Sequence, residues 1–210
     1  MLLQSDQKAI VYVVDDDPSM REALQSLFLS IGLETRTYAT ARDFLAIPVS
    51  DVPGCLIIDI RLPDTNGLDF QGQLTETGVR LPVVMMSGYG DIPMSVRAMK
   101  CGAVDFLPKP FKDQDMLDAV LAAIERDRER RAVDGDVSKV QERFGTLSPR
   151  EHQVMLLVSA GKMNKQVAGE LGISEITVKI HRGAAMRKMG ARTLADLVRM
   201  ADITSSKTPL

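Results

Sequence analysis

The chain has 210 residues, 45% hydrophobic and 26% charged, with a formal net charge of −2. That suits one or two globular domains. It excludes a membrane-spanning helix, because no apolar run approaches roughly 18 residues. The small net charge hides an asymmetry. Residues 1–125 carry 10 basic and 18 acidic side chains, residues 126–145 carry 6 and 5, and residues 146–210 carry 10 and 5. An acidic first part and a basic last part point to two domains, the second facing a polyanion. Met1–Asp6 lacks the basic and apolar regions of a signal peptide, so a cytoplasmic protein is expected. Cys55 and Cys101 form no metal or disulfide pattern and are expected as small core residues in a reducing compartment.

Residues 9–14 are an apolar run ending in Asp15-Asp16-Asp17-Pro18. Pro18 suits the first position of a helix running to about Ile31, and the acids favour that helix's positive end. Residues 34–38 read as a second strand, and Thr40 as the cap of a short helix through Leu45. Cys55-Leu56-Ile57-Ile58 is an apolar run closed by one carboxylate, Asp59, and followed by turn residues Pro63-Asp64 and Asn66-Gly67. Residues 68–74 read as helix, 82–86 as a strand ending in Ser87-Gly88, and 91–99 as helix. A fifth strand over 103–107 ends in Pro108-Lys109-Pro110-Phe111, and Asp113 or Asp115 opens the next helix. Continuous apolar runs suit strands buried on both faces. Their regular alternation with helices predicts an α/β fold, a doubly wound five-stranded parallel sheet.

In such a sheet the strand ends gather at one edge, where ligands bind. Asp15, Asp16, Asp59, Ser87 and Lys109 all fall there. Three neighbouring carboxylates need a cation, and Mg²⁺ prefers oxygen donors, with Mn²⁺ able to substitute. Mg²⁺ and Lys109 balance the three acids, and the site then accepts a phosphoryl group on Asp59, with the Ser87 hydroxyl donating to one of its oxygens. A nucleotide-binding enzyme is disfavoured: no glycine-rich loop follows the first strand, and Asp15-Asp16-Asp17 repels phosphates. The protein is therefore not expected to be an enzyme.

Residues 125–131 alternate in sign and read as a solvated helical connector ending near Asp134-Gly135-Asp136, with a second short helix over 137–144. The expected domains are 1–125, a linker 126–145, and 146–210. In the last, Ser148, Pro149 and Glu151 form a helix start of capping-box type. Helices over 164–171 and 175–189, joined by Gly172-Ile173 and capped by Ser174, have helix-turn-helix spacing. A fourth helix covers 194–201, and 203–210 looks frayed. Val178, Ala185 and Met189 share the core face of the long helix, leaving Lys179, Ile180 and Gly183 elsewhere; in a basic domain that favours the DNA major groove. Thr177, Lys165 and Arg182 are expected at phosphates. His181 is expected to be packed and hydrogen-bonded rather than a metal ligand.

Val14-Asp15-Asp16, Ile58-Asp59, Met86-Ser87-Gly88 and Pro108-Lys109-Pro110-Phe111 together resemble the receiver domain of two-component response regulators. Leu147-Ser148-Pro149-Arg150-Glu151, Asn164-Lys165-Gln166-Val167-Ala168 and Thr177-Val178-Lys179-Ile180-His181-Arg182 resemble the LuxR-type four-helix DNA-binding domain. Together they resemble a FixJ-type member of the NarL/FixJ family. The resemblance implies a flavodoxin-like strand order 2-1-3-4-5, followed by a small all-α four-helix domain. It implies phosphorylation of Asp59 by a sensor histidine kinase, a metal held by Asp15, Asp16, Asp59 and the Arg61 carbonyl, and a cis Lys109-Pro110 bond. Phe106 is implied as a switch aromatic moving with Ser87. Lys179 and Ile180 are implied at base edges of promoter DNA, with RNA polymerase a further partner. A homodimer through the face of the fourth helix and fifth strand is implied on phosphorylation. Family members commonly place Met at the position of Arg61, and some carry a basic residue at that of Gly183.

Overall fold

The structure, a computed structural model, describes residues 9–88 and 92–205. The expected leader-free start at Met1–Asp6 and the helix-opening Asp91 lie outside the described residues, as do residues 206–210 of the expected frayed end. The described chain forms two units, meeting at Arg131 and Ala132. The stretch read as a linker divides between them.

In the first unit, strands β1 (Ile10–Val14), β2 (Glu34–Tyr38), β3 (Gly54–Asp59), β4 (Val83–Ser87) and β5 (Asp105–Pro108) form one parallel sheet in the order β2-β1-β3-β4-β5. Helices α1 (Pro18–Ser30), α2 (Ala41–Leu45), α3 (Gly67–Glu76) and α4 (Ile92–Lys100) connect the strands. Side chains alternate across the sheet. Ile10, Tyr12 and Val14 pack with Phe44, Phe70 and Leu74 on one face, while Val11 and Val13 pack with Leu24, Phe28, Met116 and Val120 on the other. Burial on both faces is why β1, β3 and β4 read as unbroken apolar runs. The capping residues act as their types suggest. Asp17 accepts from Ser19 N, Thr40 from Asp43 N and Asn66 from Leu68 N.

Helix α5 (Asp113–Gly145) overturns two expectations. It does not break at Asp134-Gly135-Asp136; one interior glycine costs only about 1 kcal/mol, which the flanking turns absorb. Nor is its charged stretch wholly solvated. Asp127 is fully buried. Its Oδ2 accepts the Gly54 backbone N–H at 3.1 Å and the Arg131 Nε–H at 2.7 Å, and Arg130 pairs with its Oδ1. The carboxylate thus satisfies the first N–H of β3. Gly54 itself has no room for a side chain, since a Cβ there would stand 2.5 Å from the Ile10 carbonyl oxygen. Cys55, on the next residue, is buried as expected, and burial with the nearby Asp127 charge pushes its thiol pKa up. Cys101 differs. It lies exposed after α4, where the turn through Gly102 carries it out of the core.

The second unit contains the last turns of α5 with α6 (Pro149–Ser159), α7 (Asn164–Leu171), α8 (Glu175–Met189) and α9 (Leu194–Ser205). α9 extends past the expected end at residue 201. The capping box is present: Glu151 N–H donates to Ser148 Oγ, and Ser148 N–H donates to Glu151 Oε2 at 2.7 Å. Gly172 and Gly190 turn the chain in the left-handed region, with φ of 65° and 73°.

Replacing Asp127 by Ala removes a charged acceptor from a buried N–H. It should cost the first unit roughly 2–3 kcal/mol, read as a lower urea midpoint of the full chain, with Asp127→Asn costing less.

Candidate functional site

The sheet brings the predicted acids, hydroxyl and amine to one edge. Asp15 follows β1, Asp59 and Ser87 are the last residues of β3 and β4, and Lys109 follows β5. Lys109 Nζ donates to Asp15 Oδ2 at 2.6 Å and also pairs with Asp59 Oδ2. Asp15 is fully buried and Asp59 nearly so. Their other oxygens accept backbone donors: Asp17 N–H to Asp15 Oδ1 at 2.9 Å, and Arg61 N–H to Asp59 Oδ1 at 2.7 Å. Burial pushes the Asp15 pKa up, against the hydrogen bonds from Lys109 and Asp17 that pull it down. For Lys109 burial works downward, but the two carboxylates outweigh it and its pKa is raised.

The loops beyond the strands are shaped around this pair. Arg61 and Asn66 form an antiparallel bridge that folds the chain back behind Asp59. Gly67 permits it, because a Cβ there would meet the Asp59 carbonyl oxygen at 2.6 Å. Ser87 is buried, its Oγ 3.7 Å from Met94 Sδ, and its carbonyl accepts the Lys109 N–H at 2.7 Å. The Lys109-Pro110 bond is cis, as the resemblance implied. Phe106 is half-buried against the core cluster of one sheet face. Arg21 was missed by the sequence reading. Its guanidinium donates to the Asp15 carbonyl at 2.7 Å and the Asp16 carbonyl at 3.0 Å, and holds the acidic turn. The signal was a basic residue in the first turn of the helix opened by Pro18.

The groups expected to hold a metal, the Asp15, Asp16 and Asp59 carboxylates and the Arg61 carbonyl, all offer oxygen. That chemistry fits Mg²⁺. Asp16 is exposed, and among the described residues no three acidic, histidine or cysteine side chains converge as a ready metal cage. Asp15 and Asp59 instead share the lysine. With Asp16, these four groups carry a formal charge of −2, which matches a divalent cation.

In the second unit, Lys165, Lys179 and Ile180 are exposed, as a surface for DNA requires. Thr177 is half-buried, and its hydroxyl lies 2.8 Å from the Ser174 cap. Arg182 reaches Asn164 Oδ1 on α7 at 3.4 Å. Ile176, strongly exposed, was missed; it lies three and four residues before Lys179 and Ile180, on one helix face. His181 is half-buried but makes no side-chain hydrogen bond among the described residues, so the expected bond is absent.

Comparison with known proteins agrees with both halves. Residues 11–121 match the response regulator receiver domain, and residues 145–201 match the bacterial regulatory proteins of the luxR family. Nodulation protein W of Bradyrhizobium diazoefficiens is 55% identical over 199 residues, covering 95% of this chain and 88% of the relative. Response regulator protein TodT of Pseudomonas putida is 46% identical, covering 94% and 87%. Among solved structures, the response regulator StyR is 45% identical with a TM-score of 0.83, covering 93% and 98%. Full-length FixJ from B. japonicum is 35% identical with a TM-score of 0.57, covering 96% and 100%. A parallel sheet of order 2-1-3-4-5 with an acid–lysine edge, joined to a helix-turn-helix unit, defines a two-component response regulator that acts as a transcription factor. The chain belongs to the NarL/FixJ family. Among the described residues no helix is long and apolar enough to cross a membrane.

The raised pKa of Lys109 has a signed consequence. The stabilisation it reports is fully present below its ordinary value of 10.5 and is lost as pH rises through the higher folded-state value. The urea midpoints of wild type and Lys109→Met should therefore differ most below pH 10.5 and converge above it.

Proposed function

We propose that the receiver domain is switched by transfer of a phosphoryl group to Asp59 from the phosphohistidine of a sensor histidine kinase, and that the switch promotes dimerisation and sequence-specific promoter binding. The observation that carries the reading is the Lys109 ammonium shared by Asp15 and Asp59 at the edge of a buried parallel sheet. Receiver domains typically use Mg²⁺ for this chemistry. Asp15, Asp16, Asp59 and the Arg61 carbonyl would hold it, and when bound it neutralises charge on the phosphoryl oxygens. Asp59 supplies the attacking carboxylate oxygen. Lys109 is released from that oxygen and turns its ammonium to the phosphoryl group. The Ser87 hydroxyl donates to a second oxygen.

Ser87 and Phe106 form the two-state element. As Ser87 moves towards the phosphoryl group, Phe106 turns inward, and the face of α4 and β5 changes shape. That face pairs with its twin. Two second units then reach two half-sites, with Lys179 and Ile180 at base edges and Lys165, Thr177 and Arg182 at phosphates. Pairing raises effective concentration, so affinity for the promoter rises by roughly 10- to 100-fold without new base contacts. The protein acts in the cytoplasm, where its kinase, DNA and RNA polymerase meet.

Incubation with Mg²⁺ and a small phosphodonor should add one phosphoryl mass to the intact wild-type chain and none to Asp59→Asn. A full mass gain on the variant sinks the assignment of Asp59.

Phe106→Ala should still gain that mass. Sedimentation should nevertheless find it monomeric under conditions that dimerise wild type. If wild type itself gains promoter affinity while remaining a monomer, dimerisation is not the switch.

A further inference from the structure

The C-terminal turns of α5 belong to the second unit's own core. Val140 is buried with Met155, Ala185, Met189 and Leu197, and Phe144 packs against the same cluster. The Phe144 ring meets His152 edge-on, with centroids 4.6 Å apart. Arg143 lies three residues after Val140, on the same face. Its guanidinium Nη1 donates to the Met189 carbonyl at 3.1 Å. Met189 is the last residue of α8, the second helix of the helix-turn-helix.

Helix ends leave carbonyls without partners in their own helix. At the end of α8 the chain itself supplies some donors. Gly190 N–H reaches the Arg187 carbonyl at 3.1 Å, and Ala191 N–H reaches the Met186 carbonyl at 2.9 Å. Met189 receives its donor from Arg143 on another helix, and a cation there also suits the negative end of the helix dipole. Gly190 makes room for it. A Cβ on Gly190 would stand 2.7 Å from Arg143 Nη1 and 3.3 Å from Cζ. Lys188 ties α8 separately to Glu151 of α6 at 2.6 Å and to the Thr146 carbonyl ahead of α6 at 3.1 Å, but it does so from its exposed side chain. Arg143 grips the backbone.

We infer that Arg143 is a positioning residue for DNA reading. From the connector helix it fixes the C-terminal end of α8, so that Lys179 and Ile180 meet base edges in register. The inference rests on the reading of α8 as the base-reading helix. Ser174 fixes the other end, with its Oγ accepting the Thr177 N–H at 3.1 Å. A 15-residue helix is about 22 Å long. Loosening one end tilts the exposed face that carries Ile176, Lys179 and Ile180. Hydrogen bonds to base edges tolerate little tilt, whereas phosphate contacts through flexible side chains tolerate more.

The test uses the full chain with phosphodonor and two duplexes of equal length. One is enriched by the wild-type chain from a random pool; the other is unselected. Each variant is measured at a temperature where circular dichroism shows it folded. Arg143→Ala should bind the enriched duplex about tenfold more weakly and the unselected duplex within about twofold of wild type. Arg143→Lys should recover part of the loss. Arg143→Met keeps the apolar stem but removes the donor, so it should lower the same ratio; it also serves if Arg143→Ala does not fold. Unchanged affinity on both duplexes, or an equal loss on both, overturns the inference. Lys179→Ala separates the two failures. If it leaves the ratio of the duplexes unchanged, the base-reading assignment of α8 falls; if it lowers the ratio while Arg143→Ala does not, only the role of Arg143 falls.

Discussion

Two carboxylates, Asp15 and Asp59, are held out of water at adjacent strand ends, and one ammonium answers both. Burying like charges side by side is costly unless a cation compensates. The sheet order decides where that cation comes from. β5 is separated from β3 by β4, a distance of roughly 9–10 Å at ordinary strand spacing. Only a long, flexible cationic side chain crosses such a gap, so Lys109 passes over the end of β4, where Ser87 sits. The same geometry places Ser87 beside the path between amine and carboxylate. The backbone reinforces it, since Lys109 N–H donates to the Ser87 carbonyl.

β3 carries Asp59 and is restrained at both ends. At its start, Gly54 N–H is held by the buried Asp127 of α5, and the Ile10 carbonyl leaves no room for a side chain. At its finish, Gly67 packs against the Asp59 carbonyl and Lys109 holds the carboxylate. Two glycines, one hydrogen bond to a buried carboxylate and one ion pair thus limit movement of the central strand along its own axis. Around β3 lie the half-buried Phe106, Ser87 with its 3.7 Å contact to Met94, and the exposed Asp16.

The edge was legible in the sequence because burial on both faces erases the alternation of polar and apolar residues. What remains is an apolar run with an abrupt polar end, and four such ends mark one edge. The caps were legible for a local reason: Thr40, Ser148 and Ser174 bond N–H groups only three residues away. Asp127 was not legible. It sits among alternating charges, and its partner is a backbone N–H 73 residues earlier in the chain. Spacing within a helix carries no trace of such a contact. Gly135 misled for the opposite reason, since a glycine signals a break only when the flanking turns are weak. Ile176 was passed over because an apolar residue on a helix reads as core, and only the position of the packed face shows otherwise.

The second unit is small and divides its apolar packing into two clusters. One gathers Val140, Met155, Ala185, Met189, Leu197 and Ala201, the other Val154, Val158, Val167, Ala168 and Val178. α6 contributes to both through neighbouring residues, Val154 and Met155. α8 contributes to both along its length, with Val178 near one end and Ala185 and Met189 near the other. A helix seated in two clusters cannot rotate about its axis without emptying one of them. The orientation of its opposite face is therefore set by packing, and that face carries Ile176, Lys179 and Ile180 into solvent. Packing fixes rotation more firmly than it fixes sliding or tilt, because apolar contacts are non-directional. Directional polar contacts restrain those remaining motions: the Ser174 cap at one end, the Arg143 guanidinium at the other, and the ion pair of Lys188 with Glu151 between α8 and α6.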